Sequence, residues 1–211
     1  MKIAADTHTH TIASTHAYST IEEMINAAAK EELYAIAITD HSRTMPGAPG
    51  MWYFENLRAI PNVYNGVRVL KGIEANIIDY KGNIDVDDYL QNTLDWIVAS
   101  VHSVTISEEP SVELCTEMYL KAADNPHITV FGHSGTPEYT YDYDVVIPKI
   151  AQSGKLIEIN NSTFKFKKGS MKNCFKIAKL CKKYGARIII NSDAHFSASV
   201  GKVDNAIEAL K

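Results

Sequence analysis

Seven short β-prone, mostly apolar runs recur along this chain, and amphipathic helical patterns fill several of the gaps between them. The runs are KIAAD (2–6), AIAIT (35–39), RVLKGIE (68–74), WIVAS (96–100), ITVFGH (128–133), KLIEIN (155–160) and RIIIN (187–191). Near-continuous apolar character suits strands buried on both faces. The helical patterns include 19–32, 111–123, 143–154 and 171–185. Ser19 reads as the N-cap of the first, with Glu22 three residues on completing a capping box. Two of the patterns end in glycine, at Gly154 and Gly185, as helix C-termini often do. Strands alternating with helices imply a parallel sheet, because each parallel return needs a crossover. Seven strands are one short of the usual eight-stranded barrel. The expected fold is therefore α/β, a distorted or open (β/α)7 barrel forming one domain over residues 1–211. The last stretch, VDNAIEALK, reads as the start of an amphipathic helix and leaves room for a further element beyond Lys211.

In parallel α/β folds, chemistry gathers at the carboxyl ends of the strands. The first run is followed by His8 and His10, then His16 in the loop, and the second by His41. The third ends in Glu74. The fourth leads to His102 and the fifth ends at His133. The sixth carries Asn160 and Asn161, and the seventh leads to Asp193 and His195. Seven of the eight histidines thus fall on one rim. Only His127 lies just before a strand, on the opposite rim, and is read as structural.

Neutral imidazole and ionised carboxylate are what divalent transition metals accept. His8 and His10 are two apart, so on a strand both side chains point the same way. Asp193 and His195 repeat that spacing. Nine candidate ligands exceed what one tetrahedral ion takes. Two or three ions sharing a carboxylate, Glu74 or Asp193, fit better, since a carboxylate offers two oxygens. Zinc suits such donors, and manganese or iron would also be accepted. A pH switch would not need carboxylates on the same rim, and a tag remnant would not be interleaved with strand sequence.

Bulk properties narrow the function classes. A net charge of −4 argues against a generic nucleic-acid surface. No apolar run reaches the roughly 18 residues a membrane span needs. Cys115, Cys174 and Cys181 have no metal-type spacing. Seven residues of helix place the last two about 10 Å apart, too far to bridge, so reduced thiols and a cytoplasmic setting are expected.

The motifs DTHTHT, ITDHS, GIEAN, SVH, GH and NSDAH, in this order from about residue 3 to 200, resemble the PHP (polymerase and histidinol phosphatase) family. GIEANI, EINNSTF and KGSMKNC are similar to its YcdX-like phosphatases. The resemblance implies a distorted seven-stranded barrel with a trinuclear metal centre. By motif, His8, His10, Glu74 and Asp193 would hold one ion. Glu74 would bridge to a second, held also by His102 and His133, and His16, His41 and His195 would hold the third. Such proteins often continue into a further helical segment, so an ending without one is expected here, and the oligomeric state stays open.

The expected activity is metal-dependent hydrolysis of small phosphomonoesters, a hydrolase acting on phosphoric ester bonds. Water on such ions has its pKa lowered from 15.7 to roughly 7, giving hydroxide that attacks phosphorus in line. The cationic centre would also explain how an acidic protein attracts an anion. The general acid is not identifiable; Asp6 and Asp193 are candidates for support, Asp6 rather as a brace for a ligand histidine. Arg43, Asn161 and Lys168 are the candidate substrate contacts, with Asn160 and Asn161 alternatively orienting ligands, and PGAPGMWYF (46–54) as a candidate lid. Three rival readings share the centre: a phosphodiesterase or exonuclease, an amidohydrolase-like enzyme, and a non-catalytic metal-binding domain.

Overall fold

The computed structural model of the chain describes residues 2–210. Its strands are β1 (Ala5–Asp6), β2 (Ala35–Ile38), β3 (Val63–Tyr64), β4 (Val67–Asn76), β5 (Trp96–Ser100), β6 (Val130–Phe131), β7 (Leu156–Asn160) and β8 (Arg187–Asn191). Seven of these run parallel in the order β1-β2-β4-β5-β6-β7-β8. The helices are α1 (Ile21–Lys30), α2 (Met51–Asn56), α3 (Asp88–Thr93), α4 (Val112–Ala122), α5 (Tyr143–Gln152), α6 (Thr163–Phe166), α7 (Ser170–Tyr184) and α8 (Asp204–Ala209). The architecture is thus an α/β barrel of seven parallel strands, almost closed, with helices around it. All seven β-prone runs carry a strand, though β1 and β6 keep only two residues each.

The eighth strand went unanticipated. β3 folds back antiparallel on β4 across Asn65 and Gly66, whose φ values of 48° and 78° are both left-handed. Asn-Gly is the pair a two-residue hairpin turn favours, so the signal was present in YNGV. The first helix cap also falls one residue later than expected. Thr20 caps α1 and Glu23 completes the box. Ser19 is instead buried, and its hydroxyl accepts the Ser197 N–H at 3.0 Å.

Two apolar clusters pack different strands of the barrel against its helices. Ile36, Ile38, Ile73 and Ile97 pack against Met24 and Phe54 on one side of the molecule. Phe131, Ile157 and Ile159 pack against Met118, Val146 and Ile177 on the other. Each such side chain contributes about 1.5–3 kcal/mol on burial. β8 departs from the expected pattern, because Ile188, Ile189 and Ile190 are only half-buried. The three cysteines are buried and free. Among the described residues, no helix is long and apolar enough to cross a membrane.

Closure between β1 and β8 relies on side chains rather than a ladder. Thr7 donates its N–H and its hydroxyl to Asn191 Oδ1, at 2.8 and 2.9 Å. Farther along, His10 N–H donates to the Ala194 carbonyl at 2.9 Å. Asp6 belongs to this seam. Its carboxyl accepts from Ser192 N, from the Ser192 hydroxyl and from Gly201 N. The expectation that Asp6 braces a ligand histidine is corrected: its oxygens are spent tying the C-terminal segment to β1.

Strand spacing around β4 leaves no room for added atoms at Gly72. A Cβ there would sit 2.7 Å from the Trp96 carbonyl and 2.8 Å from Thr39 Cγ2. Gly72→Ala is expected to cost about 1–3 kcal/mol through overpacking. At this size that lowers the melting temperature by about 2–4 °C per kcal/mol. An unchanged thermal midpoint would show that β2 and β5 yield freely at this point.

Candidate metal centre

His8 and His10 lie just past β1, on either side of Thr9, which pairs with Ala194 and with Thr39. Strand alternation sends Thr9 one way and both imidazoles the other, and their ring centroids are 5.2 Å apart. The next chain segments deliver His41 after β2, Glu74 near the end of β4, His102 after β5, His133 after β6, and Asp193 with His195 after β8. His16 arrives on the loop leading to α1. The nine residues named from the sequence all meet at this rim.

Glu74 is the hub, with 1 % of its surface exposed. Its Oε1 lies 3.2 Å from His8 Nε2, 3.1 Å from His133 Nε2 and 3.6 Å from His102 Nε2. Its Oε2 lies 2.6 Å from His41 Nδ1 and 3.5 Å from His10 Nε2. Asp193 Oδ1 stands 3.2 Å from His10 Nε2 and 3.7 Å from His8 Nε2. His16 and His41 bring their Nε2 atoms to 3.1 Å, and the His16 and His195 rings stack with centroids 4.8 Å apart. Three trios gather their donor atoms within 4.8 Å: His8, His10 and Asp193; His41, Glu74 and His102; His10, His41 and His195. His41 therefore stands between two groups.

The donor set fits divalent ions by its chemistry. Two donors on one tetrahedral ion at about 2.0–2.2 Å lie about 3.3–3.6 Å apart, close to the separations found here. Of ten buried side-chain polar atoms without a directional hydrogen bond among the described residues, six belong to these residues: His8 Nε2, both His10 nitrogens, His41 Nδ1, Glu74 Oε2 and Asp193 Oδ1. Buried polar groups are rarely left so, and their concentration in one cluster argues for bound cations.

A second layer of residues fixes how the donors point. His8 Nδ1–H donates to Glu158 Oε1 at 2.8 Å, which leaves the Nε2 lone pair facing the cluster. Glu158 also accepts from Asn191 Nδ2, Asn160 Nδ2 and the His133 N–H. His102 Nδ1–H donates to Asn76 Oδ1 at 2.8 Å, while the Asn76 amide donates to Asp85. His195 Nδ1–H donates to the Asp193 carbonyl, and Asn160 Nδ2 holds Asp193 Oδ2. His133 and Asp193 adopt left-handed φ values of 28° and 55°, unusual for residues with side chains.

Charge is set by burial and by neighbours. Burial, then the His41 charge, holds the His10 imidazole well below its ordinary range. The same two causes lower His16. Burial brings His102 down to about 3 against the pull of Glu74. These rings are neutral and carry free lone pairs. Burial also depresses His8, but Glu158, Glu74 and Asp193 outweigh it and raise this group well above the usual value. Burial pushes Glu74 and Asp193 up, yet the surrounding histidines hold both carboxyls well below the usual range.

The candidate substrate contacts fare differently. Arg43 is exposed and outside the lining of the centre's cavity. Lys168 is exposed and outside it too; Lys167 lines that cavity and Lys165 the adjoining one. Asn161 reaches the adjoining cavity, but its Oδ1 accepts the Ala206 N–H and so anchors α8. The 46–54 stretch does not form a free lid. Phe54 is buried in the core, and the Tyr53 hydroxyl donates to Asp40 at 2.6 Å, leaving Trp52 exposed. His127 lies away from the cluster, its N–H donating to Asn125.

Sequence reasoning missed Glu158, Asn76, Asp85 and Asp40. Asp40 accepts from Thr11 N, the Thr11 hydroxyl, the Ser14 hydroxyl and Tyr53, and so ties the His10–His16 loop beside His41. Glu158 had a signal: a carboxylate within a strand buried on both faces needs a partner for its charge.

Comparison with known proteins bears on the family and the fold. The PHP domain family model matches residues 6–207. A probable phosphatase of Acetivibrio thermocellus is 44% identical over 211 residues, covering 100% of this chain and 87% of the relative. The histidinol phosphate phosphatase of Lactococcus lactis, solved with zinc, L-histidinol and phosphate, superposes with a TM-score of 0.65 at 15% identity, covering 98% of this chain and 92% of that one. A putative histidinol phosphatase of Listeria monocytogenes gives 0.66 at 16% identity, over 94% and 97%. At these identities the two structures speak for the fold.

Glu158→Gln replaces an acceptor that receives four donors with one that offers an amide of its own. Loss of such an orienting partner costs about 10–100-fold in metal affinity. Zinc titration monitored by calorimetry is expected to show that loss with the circular dichroism spectrum retained. Unaltered affinity would remove Glu158 from the support of the site.

Proposed function

The chain belongs to the PHP domain family, and from that premise we propose that it is a metal-dependent phosphatase of small phosphomonoesters. One observation carries the reading: a cluster of seven imidazoles and two carboxylates, buried at His8, His10, His41 and Glu74 and with unsatisfied donor atoms among them, at the mouth of a cavity. His8, His10, His16, His41, Glu74, His102, His133, Asp193 and His195 would hold three divalent ions, because nine donors exceed the needs of one or two tetrahedral sites. Zinc is the preferred identity on this imidazole-rich set, which manganese and iron also accept. It is also the ion in the Lactococcus lactis structure. When bound, such ions attract phosphate oxygens, stabilise charge on them and activate water for attack.

The chain's own residues supply orientation and exclusion. Glu158 keeps the His8 proton on Nδ1, and Asn76 does the same for His102, so both Nε2 lone pairs stay directed inward. Asn160 takes up one oxygen of Asp193 and leaves the other toward His10. Glu74, central to five histidines, is the shared carboxylate. Lys167, whose ammonium lies 3.4 Å from Glu138, lines the cavity and is placed to meet a phosphate oxygen. Met45, Thr136 and Phe166 form part of the remaining wall and limit water around the reacting phosphorus.

Hydrolysis of an alkyl phosphate is expected to stop on treatment with a strong chelator and to return on adding zinc or manganese. His10→Ala is expected to lower kcat/KM about 10²-fold or more with the circular dichroism spectrum retained, since the buried ring belongs to the polar cluster and not to the apolar core. A nitrophenyl monoester is expected to be cleaved faster than its diester. Full activity after chelation, or preference for the diester, would overturn the reading.

A further inference from the structure

A second cavity of about 500 Å³ opens directly from the centre and shares His16, Asp193 and His195 with it. Its outer walls come from three different loops. Tyr18 follows His16, with its N–H donating to the His195 carbonyl at 2.9 Å. Phe166 ends α6, a turn whose start is fixed by Asn160 accepting from Thr163. Phe196 follows His195 directly. These rings are 71%, 79% and 52% exposed, respectively. Large aromatic faces left in water around one concavity mark a recognition site rather than a packing accident.

The charge at this wall is also unusual for an acidic chain. Lys165 and Lys202 line the cavity. Lys202 is committed to Glu31 at 2.7 Å. Lys165 has no carboxylate within 4 Å among the described residues, so its ammonium is available. The cavity has the volume of a small-molecule site. An aliphatic polyol would gain little from three aromatic faces, whereas a flat ring stacks on them.

Resting on the phosphatase reading above, we propose that this aromatic cleft takes the leaving-group half of the substrate. That half is an alcohol carrying a flat ring and, at its far end, a second negative charge that meets Lys165. The phosphoryl group would lie at the histidine cluster while the ring sits between Phe166 and Phe196. Arg43 and Lys168 take no part in it.

Carbon isosteres of the esters test this without turnover. Zinc-loaded protein is titrated calorimetrically with butylphosphonate, 3-phenylpropylphosphonate and 4-(3-phosphonopropyl)benzoate. The ring is expected to tighten binding about tenfold over butyl, and the carboxylate to tighten it further. Phe196→Ala is expected to erase most of the gain from the ring, and Lys165→Met the gain from the carboxylate alone. Equal affinities for all three phosphonates, with propyl phosphate still hydrolysed, would overturn the cleft assignment and leave the phosphatase reading standing. Absence of both phosphonate binding and phosphate hydrolysis would overturn the two together.

Discussion

A carboxylate with almost no exposed surface cannot keep its charge unless positive charge or strong donors stand beside it. Desolvation of one ion costs several kcal/mol even after the protein relaxes. Glu74 is in that position, with Glu158 buried and Asp193 mostly shielded nearby. The obvious partners are the histidines, but they crowd one another. Burial and mutual repulsion keep His10, His16 and His102 neutral. The neutral rings offer lone pairs, and without a metal the positive charge facing the carboxylates rests on His8 and His41, both raised by those carboxylates. On the metal-centre reading proposed above, bound cations would balance a cluster of this composition, and the supporting groups of the rim serve that need.

The barrel makes the arrangement possible because parallel strands end together. Six of the seven contribute donors at one rim and β7 contributes the supporting Glu158, while their apolar residues go to the clusters behind. The polar groups beneath the donors restrict each ring to one orientation. Glu158 links β7 to His8, to the β8 residue Asn191 and to the backbone of His133, so three strand ends share one carboxylate. Left-handed backbone at His133 and Asp193 costs about 1–3 kcal/mol each. Folding tolerates it because these turns aim the side chains at Glu74 and His10.

Much of this was legible in the sequence. Apolar runs marked the strands, and their ends marked the rim, so residue type and position together named the nine candidate donors. The supporting layer was not, because it depends on which strands become neighbours. Glu158 reads as a stray charge in KLIEIN until β8 and β1 are placed beside it. Asp6 reads as a brace for a ligand histidine, yet its carboxyl turns to Ser192. The lysines illustrate a finer limit. Lys165, Lys167 and Lys168 sit on or just past one short helix, where a shift of one residue rotates a side chain by about 100°, and only tertiary packing shows which ones face the cavities. The β3 hairpin is marked only by its Asn-Gly turn, since a two-residue strand carries no apolar run.

Anomalous diffraction from crystals of the metal-loaded protein, collected across the zinc, manganese and iron edges, reads the number and identity of the ions together. Three peaks inside the nine-residue cluster, with Glu74 shared between two of them, are expected. A cluster without any peak, its histidines hydrogen-bonded to one another and to Glu74, would contradict the account, and so would a single ion leaving most of the donors unused.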